Sequence, residues 1–374
     1  MNANRRRGSS ATRRPGAAPS RSSRQRGVFQ NAPYPMTREN VNINTDPLPI
    51  AHFNNVTWAT SLNGSLFRSV NVGLTWEFVQ TINHHAQAML TTSDGEVLTT
   101  NGGSIYRSTG WSVNPATATF GIVRSAEANA FWLPHSLHGH GLKFVASEYA
   151  ALGVHPGRRV SVTLDAGLNW TTSFVSGAGL TSHLHAACYD RFNDVFWFIE
   201  GHSVTNPATG IGGLYYSEDD GATWTHNVNA LVHWNGAYIP IRATVNGLVC
   251  ATDQKDDGIW HVPTSGSLLN AAPTLAWPWL GGVPFMGAKG FGVCANEDMA
   301  TGKIYIGFTI LNGIVTNGPV LVESDGTTAK LVYEFTDALT AGDRVNTAVV
   351  ANGVVTGWLL ASGVDQRFRM SLTA

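Results

Sequence analysis

An eight-residue motif that recurs three times constrains the fold of this chain more than any other feature. Its fullest copy runs from Ser217 to Trp224 and holds an acid at the third position, a glycine at the fifth and a tryptophan at the eighth. The Asp219 carboxylate can accept hydrogen bonds from backbone N–H groups of its own turn, and Gly221 can adopt a positive φ. The motif therefore predicts a tight turn between two short antiparallel strands.

Two further copies keep the spacing of the glycine and the tryptophan. The copy that starts at Ser69 has Asn71 in place of the acid, and the copy that starts at Thr163 has threonine in place of the first serine. We expect the three tryptophans to lie in the core, with their rings buried between neighbouring sheets. The predicted structural residues of the three turns are Ser69, Asn71, Gly73, Trp76, Asp165, Gly167, Trp170, Ser217, Asp219, Gly221, Thr223 and Trp224.

The pattern Ser-x-Asp-x-Gly-x-Thr-Trp resembles the Asp-box, or BNR repeat, of sialidase-like and sortilin-like β-propellers. The match is complete at residues 217–224 and partial at residues 69–76 and 163–170. In that family the motif forms the hairpin turn between the two outer strands of a blade. The resemblance implies a fold and no activity, because such turns lie at the periphery and the enzymes of the family act at the central site.

Seven strand-like segments recur along the chain, and most of them end in serine. Their last residues are 39 to 62 residues apart, which brackets the ~40 to 50 residues that a four-stranded blade typically needs. The segments are 65–69, 104–108, 159–163, 213–217, 258–262, 319–324 and 366–371. We therefore predict an all-β chain that forms a β-propeller of about seven four-stranded blades over residues 51–374, with six blades as the alternative.

The N-terminal side of the predicted propeller has two parts. Residues 1–27 contain eight arginines and no acid, whereas the rest of the chain has 16 basic against 25 acidic residues, a net charge of −9. This composition predicts a disordered basic arm that docks on an acidic partner subunit or on nucleic acid; a transit peptide is the compositional alternative. The arginines are Arg5, Arg6, Arg7, Arg13, Arg14, Arg21, Arg24 and Arg26.

Residues 28–50 contain four prolines and predict an extended strap that leads into the propeller. The ring of blades has to close, and the sequence leaves two ways open. Residues before position 60 add a strand to the last blade, or residues 354–372 complete that blade by themselves.

Composition and cysteine content favour a protein that does not insert into a membrane. No apolar run approaches the ~18 residues that span a bilayer, and no apolar stretch follows the arginines, so we expect no secretory signal peptide. Charged residues make up only 13% of the chain, a low share that is common in proteins that contact other subunits. The 3 cysteines form no Cys-x-x-Cys pair and predict buried thiols in a reducing compartment.

Histidines near the starts of several repeats are the main candidates for ligand binding. The innermost strand of a blade lines the central channel of a propeller, so imidazoles on such strands can converge and bind a sugar. The alternative is that each histidine is a hydrogen-bonded strand or turn residue. No metal-type spacing appears, and neither a metal nor a cofactor is predicted. The candidates are His138, His140, His183, His185, His233 and Arg242.

Several tryptophans lie in segments that contain glycine and proline, away from the repeated turns. Exposed aromatic rings in loops suit stacking on glycans or contact with other proteins, whereas core packing is the alternative for each ring taken singly. These residues are Trp111, Trp132, Trp234, Trp277 and Trp279.

Catalysis of the sialidase type is not predicted. The family enzymes hold the substrate carboxylate with an arginine cluster that includes a Phe-Arg-Ile-Pro-type motif, and the nearest stretch here, Tyr238 to Arg242, has a different residue order. No catalytic residue is therefore assigned. A glycoside hydrolase would also need two converging carboxylates, and no spacing selects a pair among Glu148, Asp190, Glu200, Asp253 and Glu297.

Three functions follow from these observations. The first is a non-catalytic propeller that serves as a structural, assembly or glycan-receptor-binding component of a virus particle, such as a tailed-phage tail or surface protein made in the host cytoplasm. The second is a sialidase-like glycoside hydrolase that acts on a surface glycan. The third is a protein that associates with nucleic acid through the arm.

Removal of residues 1–27 tests the prediction for the arm. We expect the thermal midpoint of the truncated protein to equal that of the full chain, because the arm has no apolar residues to bury. Retention on nucleic acid or on an acidic partner should fall, most clearly at low salt. A large loss of thermal stability would instead show that the arm belongs to the fold.

Overall fold

The computed structural model describes residues 34–372 except 151–158, 177–183, 202–212, 228–237, 253–257, 265–268, 270, 272, 278–291, 309–318, 336–339 and 341–342. The predicted arm therefore lies outside the described residues. All regular structure within the described residues is β-strand, and no described helix is long and apolar enough to cross a membrane.

The described strands are β1 (Met36–Asn40), β2 (Leu48–Phe53), β3 (Val56–Thr60), β4 (Ser65–Ser69), β5 (Glu77–Thr81), β6 (Ala88–Thr91), β7 (Val97–Thr100), β8 (Ser104–Thr109), β9 (Thr119–Ser125), β10 (Ala130–His140), β11 (Lys143–Ala150), β12 (Arg159–Thr163), β13 (Thr171–Val175), β14 (Leu184–Asp190), β15 (Val195–Glu200), β16 (Gly213–Ser217), β17 (Thr225–His226), β18 (Tyr238–Thr244), β19 (Gly247–Thr252), β20 (Ile259–Val262), β21 (Thr274–Trp277), β22 (Gly292–Asp298), β23 (Lys303–Phe308), β24 (Val320–Ser324), β25 (Ala329–Glu334), β26 (Arg344–Ala351), β27 (Val354–Ala361) and β28 (Val364–Ser371).

These strands form seven four-stranded antiparallel sheets, which are the blades of a propeller. Blades 1 to 6 are the successive groups β2–β5, β6–β9, β10–β13, β14–β17, β18–β21 and β22–β25, and blade 7 is β26–β28 with β1 on its outer side. The first strand of each blade contacts the first strand of the next blade around the whole ring. The prediction of an all-β, seven-bladed propeller is confirmed, and the alternative of six blades is wrong.

The ring closes through the N-terminal strand. β1 pairs antiparallel with β28 over five residues, from Met36 opposite Met370 to Asn40 opposite Gln366. Met36 and Tyr34 pack against the apolar core of blade 7, which includes Phe368. The sequence left two ways to close the ring, and the one that forms is the one in which residues before position 60 add a strand to the last blade. Residues 36–40, which belong to the predicted strap, therefore lie within the ring.

The third strand of every blade coincides with one of the seven recurring segments. These third strands are β4, β8, β12, β16, β20, β24 and β28. Four-residue to eight-residue strands of this kind bury apolar side chains between adjacent blades, as Val322 does between blades 5 and 6. The sequence periodicity therefore identified one strand of each blade.

The three repeated turns, here called the motif turns (residues 69–76, 163–170 and 217–224), each join a third strand to a fourth strand. In each turn the backbone N–H of the seventh residue donates to the Oδ1 atom of the third residue at 2.9 Å. Asn71 therefore accepts this hydrogen bond as Asp165 and Asp219 do. A hydrogen bond from the Thr223 hydroxyl, followed by bonds from the Thr223 N–H and Ser217, lowers the pKa of Asp219.

Two features require glycine at the fifth position of each motif turn: a positive φ, and close contact with a neighbouring blade. Gly73, Gly167 and Gly221 have φ values of 80°, 84° and 85°. A Cβ atom at Gly73 would lie 2.6 Å from the Thr356 Oγ1 atom of blade 7, and one at Gly221 would lie 2.6 Å from a side chain of blade 3. Each motif turn thus packs against the preceding blade, where only glycine leaves enough space.

Hydrogen bonds join the motif turns to the same preceding blades. The Arg369 side chain donates through Nε to the carbonyl of Val72 at 3.0 Å, and Arg107 donates in the same way to the carbonyl of Ala166 at 3.0 Å. Ser173 donates to the carbonyl of Gly221. Backbone groups exposed by the left-handed turn residues are therefore paired across the blade boundary.

Blade 2 reaches an equivalent turn with different residues. The Glu96 carboxylate accepts hydrogen bonds from the Ser108 hydroxyl at 2.5 Å, the Gly110 N–H at 3.1 Å and the Trp111 N–H at 3.0 Å. A carboxylate from the residue just before the second strand, β7, thus replaces the aspartate of the motif. The sequence motif is absent here because the acceptor comes from a distant position in the chain.

The prediction that the motif tryptophans lie in the core is wrong in detail. Trp76, Trp170 and Trp224 are only half-buried. Trp170 and Trp224 pack against apolar core clusters without being enclosed by them, and the Arg367 guanidinium lies 5.7 Å from the centre of the Trp76 ring. Trp224, for example, lies 4.8 Å from the ring of Phe198 and donates through Nε1 to Ser173 at 2.8 Å.

Two of the tryptophans assigned to loops are core residues. Trp111 contacts the ring of Trp58 at 4.6 Å, and Trp132 is fully buried within β10. The suggestion that these two rings stack on a glycan is therefore wrong. Trp234 and Trp279 lie outside the described residues, as does the side chain of Trp277.

Substitution of Gly73 by alanine tests the contact between blades 1 and 7. The positive φ alone should destabilise the protein by ~1–2 kcal/mol, and overpacking against Thr356 should add ~1–3 kcal/mol. Gly363→Ala is the matched control, because Gly363 has a φ of 76° and a Cβ atom added there would meet no atom within 4 Å. Urea unfolding should show the larger loss for Gly73→Ala, and equal losses would contradict the contact.

Candidate functional site: the axial channel

The first strands of the seven blades surround the axis of the propeller. Six of them, all except β6, carry a register shift against the second strand of their blade. Such bulges interrupt the regular alternation of side chains between the two faces of a strand, and so change the direction in which a side chain points. Side chains from widely separated parts of the sequence therefore reach the axis.

Two connected chambers lie along this axis. The larger has a volume of about 170 Å³ and is lined by the C-terminal halves of the first strands and by the turns that follow them. The smaller has a volume of about 40 Å³ and is lined by residues nearer the starts of the first strands. Arg242, Met89 and Asn296 line both chambers, so these residues lie between them.

Three of the predicted ligand-binding residues line the larger chamber: His138, His140 and Arg242. His185, by contrast, is buried within β14 and its ring lies 6.0 Å from that of Tyr149. It does not line either chamber. His183 and His233 lie outside the described residues.

The hydrogen bonds of His138 fix the position of its proton. The backbone N–H of Tyr189 donates to His138 Nδ1 at 3.1 Å, so the neutral ring carries its proton on Nε2. Burial, together with the positive charges of Arg242 and Arg191, lowers the pKa of His138 well below its usual value. The ring is therefore a neutral hydrogen-bond donor at physiological pH.

Cys188 lies beside His138, with its Sγ atom 3.5 Å from His138 Nδ1. The thiol is completely buried, and burial raises its pKa to about 12. A nucleophilic cysteine needs a lowered pKa and an accessible sulfur, so this pair does not have the properties of a catalytic one. All three cysteines are buried and unpaired, which confirms the prediction of core thiols.

Two charged residues of the larger chamber form an ion pair that the sequence did not predict. Arg191 follows β14 and donates through Nη2 to the Glu297 carboxylate of β22 at 2.6 Å. Burial raises the pKa of Glu297, and the charge of Arg191 opposes that shift. His52 of β2 also lines the chamber, and its Nδ1 atom lies 2.9 Å from the Thr57 hydroxyl.

The channel does not supply an evident metal centre. No group of three or more histidine, cysteine, aspartate or glutamate side chains in the described part of the chain could hold a metal ion. The lining instead offers two guanidinium groups and three imidazoles, those of His52, His138 and His140, together with the aromatic ring of Phe192.

Comparison with known proteins supports the fold. No protein-family profile and no curated protein matches the sequence. Oligogalacturonate lyase in complex with manganese has a TM-score of 0.53 at 10% identity, over 92% of this chain and 95% of that chain. YCF48 bound to a D1 peptide has a TM-score of 0.47 at 11% identity, over 89% of this chain and 96% of that chain.

A GH74 xyloglucanase from Xanthomonas campestris has a TM-score of 0.49 at 12% identity, over 79% of this chain and 47% of that chain. Of these three structures, oligogalacturonate lyase is the one with a TM-score above 0.5, and at 10% identity it bears on the architecture alone. The chain is a β-propeller, and its proposed relation to Asp-box proteins rests on the motif turns.

Proposed function

We propose that this protein is a non-catalytic β-propeller that serves as a structural or receptor-binding component of a larger assembly, such as the tail or surface of a virus particle. The observation that carries the proposal is that nine exposed large apolar side chains of the described residues lie on one face of the ring. Exposed apolar residues that cluster on a soluble domain mark surfaces that contact other molecules.

That face can be identified from the direction of the strands. In an antiparallel blade the first and third strands run the same way, so the turns after them lie on the same side of the propeller. We call this side the turn face. Its exposed large apolar residues are Val70, Leu74, Val113, Leu142, Leu164, Leu168, Phe192, Val245 and Met299.

The opposite face differs within the described residues. Most of its turns lie outside the described residues; in the described part, Leu62 lies in a turn and Val364 at the start of β28, and both are exposed large apolar residues. Val113 of the turn face is 88% exposed, whereas Leu62 is 37% exposed. We propose that the turn face, with its nine exposed apolar side chains, docks on a partner subunit, with the axial channel opening at its centre.

The positions of the acidic residues favour a binding role over the alternative, a sialidase-like glycoside hydrolase. The Glu148 carboxylate accepts hydrogen bonds from Arg159, and Asp190 accepts them from the backbone N–H groups of Phe192 and Asn193. Glu200 accepts hydrogen bonds from Ser176 and Tyr215. Each of these carboxylates has a structural role of its own.

Of the five acids considered for hydrolysis, Glu297 lines the larger chamber, where it pairs with Arg191. Asp253 lies outside the described residues. A glycoside hydrolase needs two carboxylates that face the same bond. We therefore propose that the protein binds a surface glycan as a receptor and does not hydrolyse it. We also propose that the arm contacts an acidic subunit or nucleic acid.

Incorporation into the assembly tests the role of the turn face. Val113→Ser with Leu168→Ser should reduce incorporation of the protein into particles made in the source host by about tenfold, because both substitutions remove apolar surface that the proposed interface would bury. The matched control is Leu62→Ser with Val364→Ser on the opposite face, which should incorporate like the wild type. Equal incorporation of both double variants would contradict the proposed docking face.

A fluorogenic sialoside assay at several pH values tests the catalytic alternative. We expect no turnover, because the chamber contributes one ion-paired glutamate where hydrolysis needs two carboxylates. Turnover that is abolished in Arg242→Gln and kept in Asp219→Asn would favour the hydrolase instead. Asp219→Asn is the control because Asp219 lies in a motif turn and retains an Oδ1 acceptor after substitution.

A further inference from the structure

Arg242 holds a buried positive charge at the centre of the axial channel. Its side chain is 7% exposed, and its Nη1 atom donates to the carbonyls of Ile241 at 2.8 Å and His135 at 3.3 Å. No carboxylate in the described part of the chain forms an ion pair with it. The Nε and Nη2 donors have no hydrogen-bond partner among the described residues either.

A guanidinium group in this position is costly for a protein to maintain. Burial of a charge without a paired opposite charge is strongly unfavourable, and burial accordingly lowers the pKa of Arg242. Ionisable groups held in such unfavourable surroundings within a cavity are concentrated at functional sites. The charge of Arg242 therefore points to an anionic group that the described residues do not supply.

The neighbouring charges do not neutralise Arg242. Arg191 and Glu297, which line the same chamber, are paired with each other at 2.6 Å. The charge of Glu297 also acts on Arg242 and opposes the effect of burial on its pKa. The described lining nevertheless holds two guanidinium groups against one carboxylate, which leaves one positive charge uncompensated. His138 adds a neutral Nε2–H donor to the same chamber.

The smaller chamber supplies a second, independent observation. The Nδ2 atom of Asn346 and the Oγ1 atom of Thr347 are buried there without a hydrogen-bond partner in the described structure. Buried polar atoms are nearly always paired with protein, with water or with a ligand. Both residues line a cavity that Arg242 also lines, so polar groups without a partner in the described structure lie in the wall of the same cavity.

We propose that the axial channel binds a small oxyanion ligand, a carboxylate or phosphate carried on a polar body of about the size of a sugar ring, with the oxyanion held by Arg242 and His138. The planar fork of arginine matches the oxygens of both groups. A chamber of about 170 Å³ holds on the order of ten water-sized groups, which limits the ligand to this size. The site opens at the centre of the turn face, and Phe192 and Met299 belong to both.

Binding to the full-length chain tests the proposal with three probes that share one ring size: glucuronate, glucose 6-phosphate and glucose. Isothermal titration calorimetry should show saturable binding of at least one of the two anions and no binding of neutral glucose. Binding of glucuronate alone identifies the carboxylate as the preferred group, and binding of glucose 6-phosphate alone identifies the phosphate.

Arg242→Gln removes the charge with little change in side-chain volume and should weaken anion binding by about tenfold or more, as expected for loss of a charge-assisted hydrogen bond. The matched control is Arg68→Gln, because Arg68 is a surface residue paired with Glu77. This control should bind the anion like the wild type and should also keep its fold.

Thermal unfolding separates a ligand-binding role of Arg242 from a structural one. Since removal of an unpaired buried charge does not cost an ion pair, Arg242→Gln should unfold at the wild-type temperature or above. Arg242→Lys retains the charge without the fork and should bind with intermediate affinity. The proposal is overturned if neither anion binds the wild type, or if Arg242→Gln binds the anion as tightly as the wild type.

Discussion

The hydrogen bond between a turn of one blade and a side chain of the preceding blade is the contact on which this structure depends. It recurs with different donors: Arg369 for Val72, Arg107 for Ala166 and Ser173 for Gly221. Blade 6 has a related contact, since Asn246 donates to the carbonyl of Asp325 at 2.8 Å. Because these bonds fix each blade relative to the previous one, they also fix the first strands that form the channel.

Local features of the sequence were sufficient to predict the blades. The motif turns fold through hydrogen bonds within eight residues, and the third strands bury short apolar runs, so both leave a pattern that can be read from the sequence. Ring closure could not be predicted in this way. It pairs Met36 with Met370, and no local pattern distinguishes this pairing from a blade completed by its own strands.

The channel was only partly predictable for a related reason. Propeller geometry placed His138 and Arg242 near the axis, whereas the pair formed by Arg191 and Glu297 joins blades 4 and 6 and has no sequence signal. For the tryptophans, a local sequence signal was present but led to a wrong prediction. The nearby Pro134 predicts a loop around Trp132, yet this tryptophan lies in β10 and is fully buried, since the strand continues past the proline as a bulge.

A crystal structure of the full-length protein grown with glucuronate or glucose 6-phosphate would test the central claim, that the ring holds an uncompensated guanidinium at its axis for an anionic ligand. The account predicts electron density for an oxyanion within hydrogen-bond distance of Arg242 Nε or Nη2, with the ring of the ligand in the larger chamber. A chamber that contains only water, with Arg242 paired to a carboxylate of the chain itself, would contradict it.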